Sequence, residues 1–138
     1  MSQNHTKMIN IQGKEHSYND HQVVNFNEGL VGFPEMHRAV LIPLAEYVPF
    51  CWLASLDNEN VRFIVVNPKQ VYGDYQPKME SADEAETQTL ALVKISSDWR
   101  KTTVNLKAPI FINSKTRSAA QVILNDSTYQ LAESLPNT

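Results

Sequence analysis

The sequence predicts an all-β, mainly antiparallel fold: a small barrel-like or split-barrel arrangement of short strands with one short acidic helix. Its apolar runs are only about 4 to 6 residues long and are rich in β-branched and aromatic side chains. Turn-forming residues separate the runs. The runs recur roughly every 8 to 12 residues, which is typical of an antiparallel sandwich or barrel.

Nine runs are predicted strands, of which the first has the weakest pattern. In chain order they cover residues 8–11, 23–26, 39–44, 50–55, 62–66, 90–95, 103–106, 110–113 and 121–124. The turn signals between them include Gly13, Gly29, Gly32, Pro34, Asp57, Asn67, Gly73, Pro109 and Asn125.

Two prolines restrict where strands run. Pro43 cannot donate to a β-ladder, so we expect it at the edge or the end of the sheet. Pro109 separates the runs 103–106 and 110–113 and predicts two strands or a bend there. Neither proline fits the interior of a central strand.

A single short helix is predicted over residues 79–87. Ser81 and Glu84 have the spacing of a capping box, and Asp83 falls in the first turn. The carboxylates of Glu80, Asp83, Glu84 and Glu86 leave the helix no apolar face. It is therefore a solvated element or a docking surface.

The size and charge of the chain bound its organisation. With 138 residues and 15.7 kDa, it has the length of one domain. We expect a disordered N-terminal tail over residues 1–8, a single domain over 9–132 and a C-terminal tail over 133–138. The net charge of −3 and the scattered Lys and Arg provide no basic stripe for phosphates, so direct nucleic-acid binding is not expected.

Cysteine usage and hydropathy indicate a cytoplasmic protein. Cys51 is the only cysteine, so no internal disulfide can form. The N-terminus lacks the apolar core of a signal peptide, and no apolar stretch approaches the roughly 18 residues needed to cross a membrane.

The sequence shows no pattern of catalysis or metal binding. The four histidines have no HxH or HExxH spacing, and Cys51 lies in an apolar run where core packing is the expected role. The glycines at 29 and 32 lack both the lysine of a P-loop and a following helix, so they indicate tight turns. We predict a non-enzymatic protein without metal or cofactor.

Three segments together resemble the flagellar assembly factor FliW family. The first runs from Phe26 through Glu28, Gly29 and Gly32 to Phe33 and Pro34. The second spans residues 49–55, followed by 63–68 and by Asp74 and Tyr75. The third spans residues 103–113, with 121–124 and Tyr129 after it. Their order and spacing, from about residue 8 to residue 131, carry the resemblance.

The resemblance implies a binding protein with two protein partners. FliW proteins bind flagellin and CsrA, an RNA-binding translational regulator, and sequestering CsrA relieves its repression of flagellin translation. Free flagellin displaces CsrA, so flagellin feeds back on its own synthesis. CsrA is inhibited away from its RNA-binding surface, which makes the antagonism allosteric. Membrane and direct nucleic-acid partners are not implied.

Within the matching segments, polar residues are the candidate partner contacts, because apolar packing does not explain them. They are Glu28, Asp74, Asn105, Lys107 and Asn113, together with Tyr75 as an interface anchor. Each polar residue has the alternative role of capping a turn, and Tyr75 that of folding onto the domain. The motif residues expected to be structural are Phe26, Gly29, Gly32, Phe33, Trp52 and Pro109; the aromatic ones are assigned to core packing.

Two other functions stay open. One is a flagellin-specific chaperone with no CsrA activity. The other is a small split-barrel enzyme that holds a cofactor in its mouth.

Overall fold

The computed structural model describes residues 7–77, 86–126 and 128–136. Strands dominate these residues, as predicted. They are β1 (Lys7–Ile11), β2 (Lys14–Tyr18), β3 (Val23–Phe26), β4 (Arg38–Pro43), β5 (Cys51–Ser55), β6 (Arg62–Val66), β7 (Thr87–Lys94), β8 (Thr103–Val104), β9 (Ile110–Asn113), β10 (Ser118–Gln121) and β11 (Glu133–Ser134). One short α-helix, α1 (Pro68–Val71), and 3-10 turns at Asp20–Gln22 and Trp99–Lys101 accompany them.

Seven strands close into a barrel in the order β7-β6-β5-β4-β3-β10-β9, and β9 pairs back onto β7. Only the β3–β10 pairing in this sheet is parallel, and the other pairings are antiparallel. β8 and β11 extend the sheet beyond β7, whereas β1 and β2 form a separate hairpin. The predicted all-β, barrel-like fold is confirmed.

The main core fills the inside of this barrel. Alternate residues of β4 to β7 join one cluster, because successive side chains of a strand point to opposite faces. Leu53, Val65 and Ile110 in this cluster have no exposed surface. Its buried members are Val24, Phe26, Leu30, Met36, Ala39, Leu53, Val65, Leu90, Ile110 and Ile112.

The intervening residues of the same strands point to the outside of the barrel, and other parts of the chain cover them there. Val40 and Ile42 of β4, with Trp52 and Ala54 of β5, are covered by the β1–β2 hairpin through Ile9, Ile11 and Tyr18. Val66 of β6 and Ala91 of β7 form a third cluster with Phe50, Tyr75, Val104 and Leu106. The barrel wall from β4 to β7 is therefore apolar on both faces.

Most predicted strands agree with the structure, but the one at residues 121–124 is wrong. The strand here is β10, which ends at Gln121 and pairs with both β3 and β9. Beyond Gln121, Val122 and Ile123 are exposed, although Val122 N–H still donates to Pro109 O at 3.0 Å. Strand propensity does not predict β10, because Ala119 and Ala120 are small residues and the strand forms only through pairing with its neighbours.

The sequence pattern also missed β2 and β11, whose residues are mostly polar. The C-terminal tail was predicted from residue 133, but Glu133 and Ser134 pair with β8, and Leu135 packs onto the third cluster. The Tyr72 hydroxyl donates to Ser134 O at 2.8 Å and holds this segment in place. At the other end, Lys7 and Met8 already belong to β1, within the predicted N-terminal tail.

The proline predictions are confirmed. Pro43 is the last residue of β4, and Pro109 lies between β8 and β9. The predicted acidic helix at 79–87 lies mostly outside the described residues, and its last residue, Thr87, begins β7. α1 occupies a predicted turn instead, where Asn67 Oδ1 accepts from Lys69 N–H and Pro68 starts the helix.

Replacing Leu53 by alanine should destabilise the protein by about 2–5 kcal/mol, because it removes a fully buried side chain and leaves a cavity in the barrel interior. Urea unfolding followed by circular dichroism measures the change. Val48→Ala, at a side chain that is 77% exposed, is the matched control and should stay within about 0.5 kcal/mol of wild type. Equal stabilities would contradict the placement of Leu53.

The half-buried phenol of Tyr72 and the buried phenol of Tyr75 should make the fold sensitive to alkali. Burial, with Glu133 nearby, raises the pKa of Tyr72 to about 12, and burial also raises the pKa of Tyr75. Unfolded tyrosine titrates at about pH 10, so above that pH the unfolded state releases protons that the folded state keeps. The free energy of unfolding should therefore fall as the pH rises from about 10 towards 12.

Urea unfolding at increasing pH tests this expectation. The double variant Tyr72→Phe and Tyr75→Phe should show a shallower decline than wild type, although it is less stable near neutral pH. A decline of the same steepness in both proteins would show that these phenols are not responsible.

Candidate partner-binding surface

The first sequence motif forms a loop between β3 and β4. Its ends and its middle are anchored, because Phe26, Leu30 and Met36 are all buried in the barrel interior. Leu30 and Phe33 pair with each other, with Leu30 N–H donating to Phe33 O at 3.1 Å and Phe33 N–H to Leu30 O at 2.8 Å. We call residues 27–36 the motif loop.

Hydrogen bonds to two other parts of the chain fix the motif loop and the residues that follow it. Val31 N–H donates to Gln121 Oε1 at 2.9 Å, which ties the loop to β10. Asp57 Oδ2 accepts from His37 N–H at 2.8 Å and from Arg38 N–H at 2.9 Å, which ties its end to the β5–β6 turn. The loop is held on both sides and needs little further ordering to bind a partner.

The two motif glycines have the predicted turn role for different reasons. Gly29 has φ +67°, and a Cβ there would meet Phe33 O at 2.5 Å and Pro34 O at 2.6 Å. Gly32 has φ +85° with nothing within 4 Å of a Cβ. Gly29 thus serves a close backbone approach as well as a left-handed conformation, and Gly32 serves only the conformation.

The tip of the motif loop exposes apolar side chains. Val31 is 66% exposed and Phe33 is 41% exposed. The prediction that Phe33 packs in the core is wrong, because the Leu30–Phe33 turn places its ring at the surface in a T-shaped contact with Phe63, with 4.9 Å between centroids. Phe26 and Leu30 fill the interior in its place.

A groove of about 700 Å³ opens beside Phe33. The motif loop forms one wall and the β5–β6 turn the other, and we call it the motif groove; it is lined by residues 32–36, Ser55 and residues 57–61. Phe33 and Val61 supply apolar surface, while Glu35, Asp57 and Glu59 supply carboxylates. No Lys, Arg or His is among its described lining residues.

The β5–β6 wall of the motif groove has an ordered backbone. Ser55 Oγ accepts from Asp57 N–H and from Asn58 N–H, both at 3.0 Å, and Asn58 Oδ1 accepts from Asn60 N–H at 2.9 Å. Sequence analysis identified only a turn at Asp57 and did not assign the groove carboxylates. Their approach to Phe33 follows from the pairing of β4 with β5, which no local pattern reveals.

Two of the predicted partner contacts cap turns. Asn105 Oδ1 accepts from the backbone N–H groups of Lys107 and Ala108 at 3.1 and 3.0 Å. Asn113 Oδ1 accepts from those of Lys115 and Thr116, both at 2.9 Å. Both asparagines therefore have the structural role that was the alternative in the sequence analysis.

Tyr75 is not an exposed anchor. Only 2% of the residue is accessible; its hydroxyl donates to Leu106 O at 2.7 Å, and its ring packs edge-on against Tyr129 with 4.7 Å between centroids. It folds onto the domain because this covers the outer face of β6 and β7. Asp74 beside it is exposed.

The other predicted residues are spread over the molecule. Glu28 is exposed and lines a second groove of about 320 Å³ between the motif loop and β10. Lys107 is half-buried in the turn after β8, Trp52 packs under the β1–β2 hairpin, and Pro109 is fully buried. The structure brings together Glu28 and the motif residues of the first segment but not the rest.

Neither a metal-binding cluster nor an activated thiol is found among the described residues. Among them, no three His, Cys, Asp or Glu side chains are grouped so as to hold a metal ion. Cys51 packs against the barrel interior as predicted, and burial raises the pKa of its thiol, which disfavours the reactive thiolate. None of the helices in the described part is long and apolar enough to cross a membrane.

Alanine at the two glycines should separate their roles. Gly32→Ala adds only the strain of a left-handed residue and should cost about 1–2 kcal/mol. Gly29→Ala adds a clash with the backbone of Phe33 and Pro34 and should destabilise the protein more. Urea unfolding compares the two variants directly, and a smaller loss for Gly29→Ala would contradict the close approach.

Matches to known proteins extend over nearly the whole chain. The FliW protein family matches residues 8–135. The flagellar assembly factor FliW of Bacillus pumilus is 35% identical over 130 residues, covering 86% of this chain and 90% of that protein. The one from Clostridium beijerinckii is 33% identical over 138 residues, covering 94% and 97%.

The fold agrees with a solved structure. A crystal structure of the flagellar assembly factor FliW superimposes with a TM-score of 0.84 at 24% identity, covering 96% of this chain and 99% of that chain. The family match and the identity to curated relatives extend across both the barrel and the motif loop, so this chain belongs to the FliW family of flagellar assembly factors.

Proposed function

We propose that this chain serves flagellar assembly as a non-enzymatic binding protein with two protein partners, flagellin and the translational regulator CsrA. It binds CsrA away from the RNA-binding surface and weakens its hold on flagellin messenger RNA. Free flagellin displaces CsrA from the chain and restores repression. The proposed place of action is the cytoplasm, where this message is translated.

The main support for a binding role comes from the structure of the motif loop. Exposed Val31 and Phe33 sit on backbone that is anchored by buried residues and tied down by side-chain hydrogen bonds. Apolar surface held rigidly in water gains free energy when a partner covers it, and little entropy is lost on binding. The flagellar role is supported by the names of the relatives.

The barrel interior supports a binding role over a cofactor-dependent one. Apolar side chains such as Leu53, Ile110 and Ile112 are fully buried there and occupy the space that a ligand-binding barrel leaves open. The two described grooves lie along the motif loop, where a protein partner has access to them.

Allosteric antagonism has a thermodynamic consequence. If the chain weakens RNA binding to CsrA by some factor, RNA weakens binding of the chain to CsrA by the same factor. The three components therefore share one coupling free energy, typically about 1–3 kcal/mol. A coupling factor that levels off at saturating RNA is the mark of allosteric antagonism, whereas direct competition lowers the apparent affinity without limit as RNA is added.

The defining experiment titrates the purified chain into CsrA bound to a fluorescent flagellin-leader RNA and follows anisotropy. We expect release of RNA, and we expect added flagellin to reverse it. The affinity of the chain for CsrA, measured with and without RNA by calorimetry, should change by the same factor as the affinity of RNA.

Two results would contradict the proposal. Flagellin binding without any RNA release would leave a flagellin-specific chaperone. RNA release in which the apparent affinity of the chain for CsrA keeps falling as RNA is added, without levelling off, would indicate direct competition for the RNA-binding surface.

A further inference from the structure

The segment that follows β10 combines strand-forming residues with exposed apolar side chains. Residues 121–124, Gln-Val-Ile-Leu, have the β-branched composition of a strand, yet Val122 is 40% exposed and Ile123 is 58% exposed. Val31 of the motif loop is 66% exposed and lies next to this segment, because its N–H donates to Gln121 Oε1 at 2.9 Å. A conflict between local strand preference and burial is typical of functional positions.

One side of this segment is hydrogen-bonded. Val122 N–H donates to Pro109 O at 3.0 Å, and Leu124 N–H donates to Lys107 O at 2.7 Å. Both bonds continue the antiparallel register of β10 with β9, whose last pair is formed one residue earlier. The even-numbered residues of the segment therefore direct their backbone groups towards the turn before β9.

The other side of the segment is an open edge. The backbone groups of successive residues in a ladder point to opposite sides, so those of Gln121 and Ile123 face away from β9. β3 pairs with β10 only as far as Phe26 and Ala119, and the chain then leaves the sheet in the motif loop. Within the described residues, the backbone groups of Gln121 and Ile123 have no hydrogen-bond partner. Two N–H and two C=O groups are thus available to another strand.

A groove of about 320 Å³ leads onto this edge, with residues 27–31 of the motif loop as one wall and residues 119–121 of β10 as the other. The side chain of Gln121 ties the walls together, because Oε1 accepts from Val31 N–H and Nε2 donates to Ala108 O at 3.2 Å. Bonds within the chain therefore hold the groove and the edge in position, and little ordering is needed before a partner binds.

Two exposed aliphatic side chains border the open edge on one face. The side chains of Gln121 and Ile123 point to the same face, because side chains alternate along a strand. The Gln121 side chain reaches Val31 on that face, and both Ile123 and Val31 are more than half exposed. A strand that lies along the edge covers both aliphatic side chains.

We propose that flagellin adds an extended segment to this edge, as a short strand beside residues 121–123 with aliphatic side chains packed against Val31 and Ile123. The edge itself selects an extended backbone, because only alternating N–H and C=O groups match those of Gln121 and Ile123. The exposed Val31 and Ile123 select aliphatic side chains at alternate positions of the added strand.

Flagellin is the source of the strand because of its state when it is bound, and this step rests on the proposed function. A folded regulator such as CsrA has nearly all of its backbone groups paired. A filament subunit that has not yet been assembled leaves uncovered the surfaces that its neighbours later bury. Strand addition is the mode by which pilus chaperones cover such surfaces on unassembled subunits.

Amide hydrogen exchange, measured residue by residue by NMR on the full chain, tests strand addition directly. In the free chain the amides of Val122 and Leu124 should exchange slowly and those of Gln121 and Ile123 quickly, because only the first two are hydrogen-bonded. Adding monomeric flagellin should slow the exchange of Gln121 and Ile123 by about tenfold or more. Adding CsrA should leave it unchanged.

Substitutions at position 123 separate the backbone group from the side chain, with the Kd for flagellin measured by calorimetry. Ile123→Ala removes the aliphatic contact and should raise the Kd about threefold. Ile123→Pro also removes the outward N–H and should raise the Kd about tenfold or more. Ile95→Ala, at another isoleucine that is 46% exposed, is the matched control and should change the Kd by less than about twofold. Circular dichroism and urea unfolding establish that every variant is folded.

The outcomes distinguish this inference from the proposed function. If wild type binds flagellin without protecting the amides of Gln121 and Ile123, and Ile123→Pro binds as tightly as Ile123→Ala, the edge is not the site while the proposed function stands. If CsrA protects these amides and flagellin does not, the assignment to flagellin is overturned. Failure of wild type to bind flagellin would remove the proposed function together with the inference.

Discussion

Two-sided burial of the barrel wall is the constraint on which the rest of the structure depends. Strands β4 to β7 carry apolar side chains on both faces, so closing the barrel covers only half of them. The β1–β2 hairpin covers the outer face of β4 and β5, and the segment around Tyr75 with the C-terminal strand covers that of β6 and β7. A domain of this length must bury a large fraction of its surface on folding, and the segments at both ends of the described structure contribute to this by covering the barrel wall.

The same constraint explains why several candidate contacts turned out to be structural. Tyr75 belongs to an outer cover, Asn105 closes the turn after β8, and Asn113 closes the turn between β9 and β10. Such polar groups satisfy backbone N–H groups that tight turns leave unpaired. The outer covers leave the motif loop and its groove open to solvent, with their backbone held by hydrogen bonds.

Pairing of β4 with β5 is what creates that surface. The register aligns Ala39 with Ser55, so the turn beginning at Ser55 comes to lie beside the end of the motif loop. Asp57 then accepts hydrogen bonds from the start of β4, which couples the position of the groove wall to the barrel itself.

A second set of exposed apolar residues, Tyr47, Val48 and Trp99, lies at the other end of β5, and the Trp99 ring packs against Phe50 with 5.7 Å between centroids. This second apolar region is separate from the motif groove.

The sequence by itself determined the fold class, most strands, the break at Pro109, the end of β4 at Pro43 and the turn role of Gly29 and Gly32, because these follow from local backbone preferences and period-two burial. It did not determine β10 or β11, whose small or polar residues are strands only because neighbouring strands pair with them. Nor did it reveal that Phe33 is exposed, that Tyr75 is buried, or that Glu35 and Glu59 share a groove with Phe33. Those facts depend on barrel closure and strand register, which bring together residues more than twenty positions apart, and a local pattern contains no information about such distances.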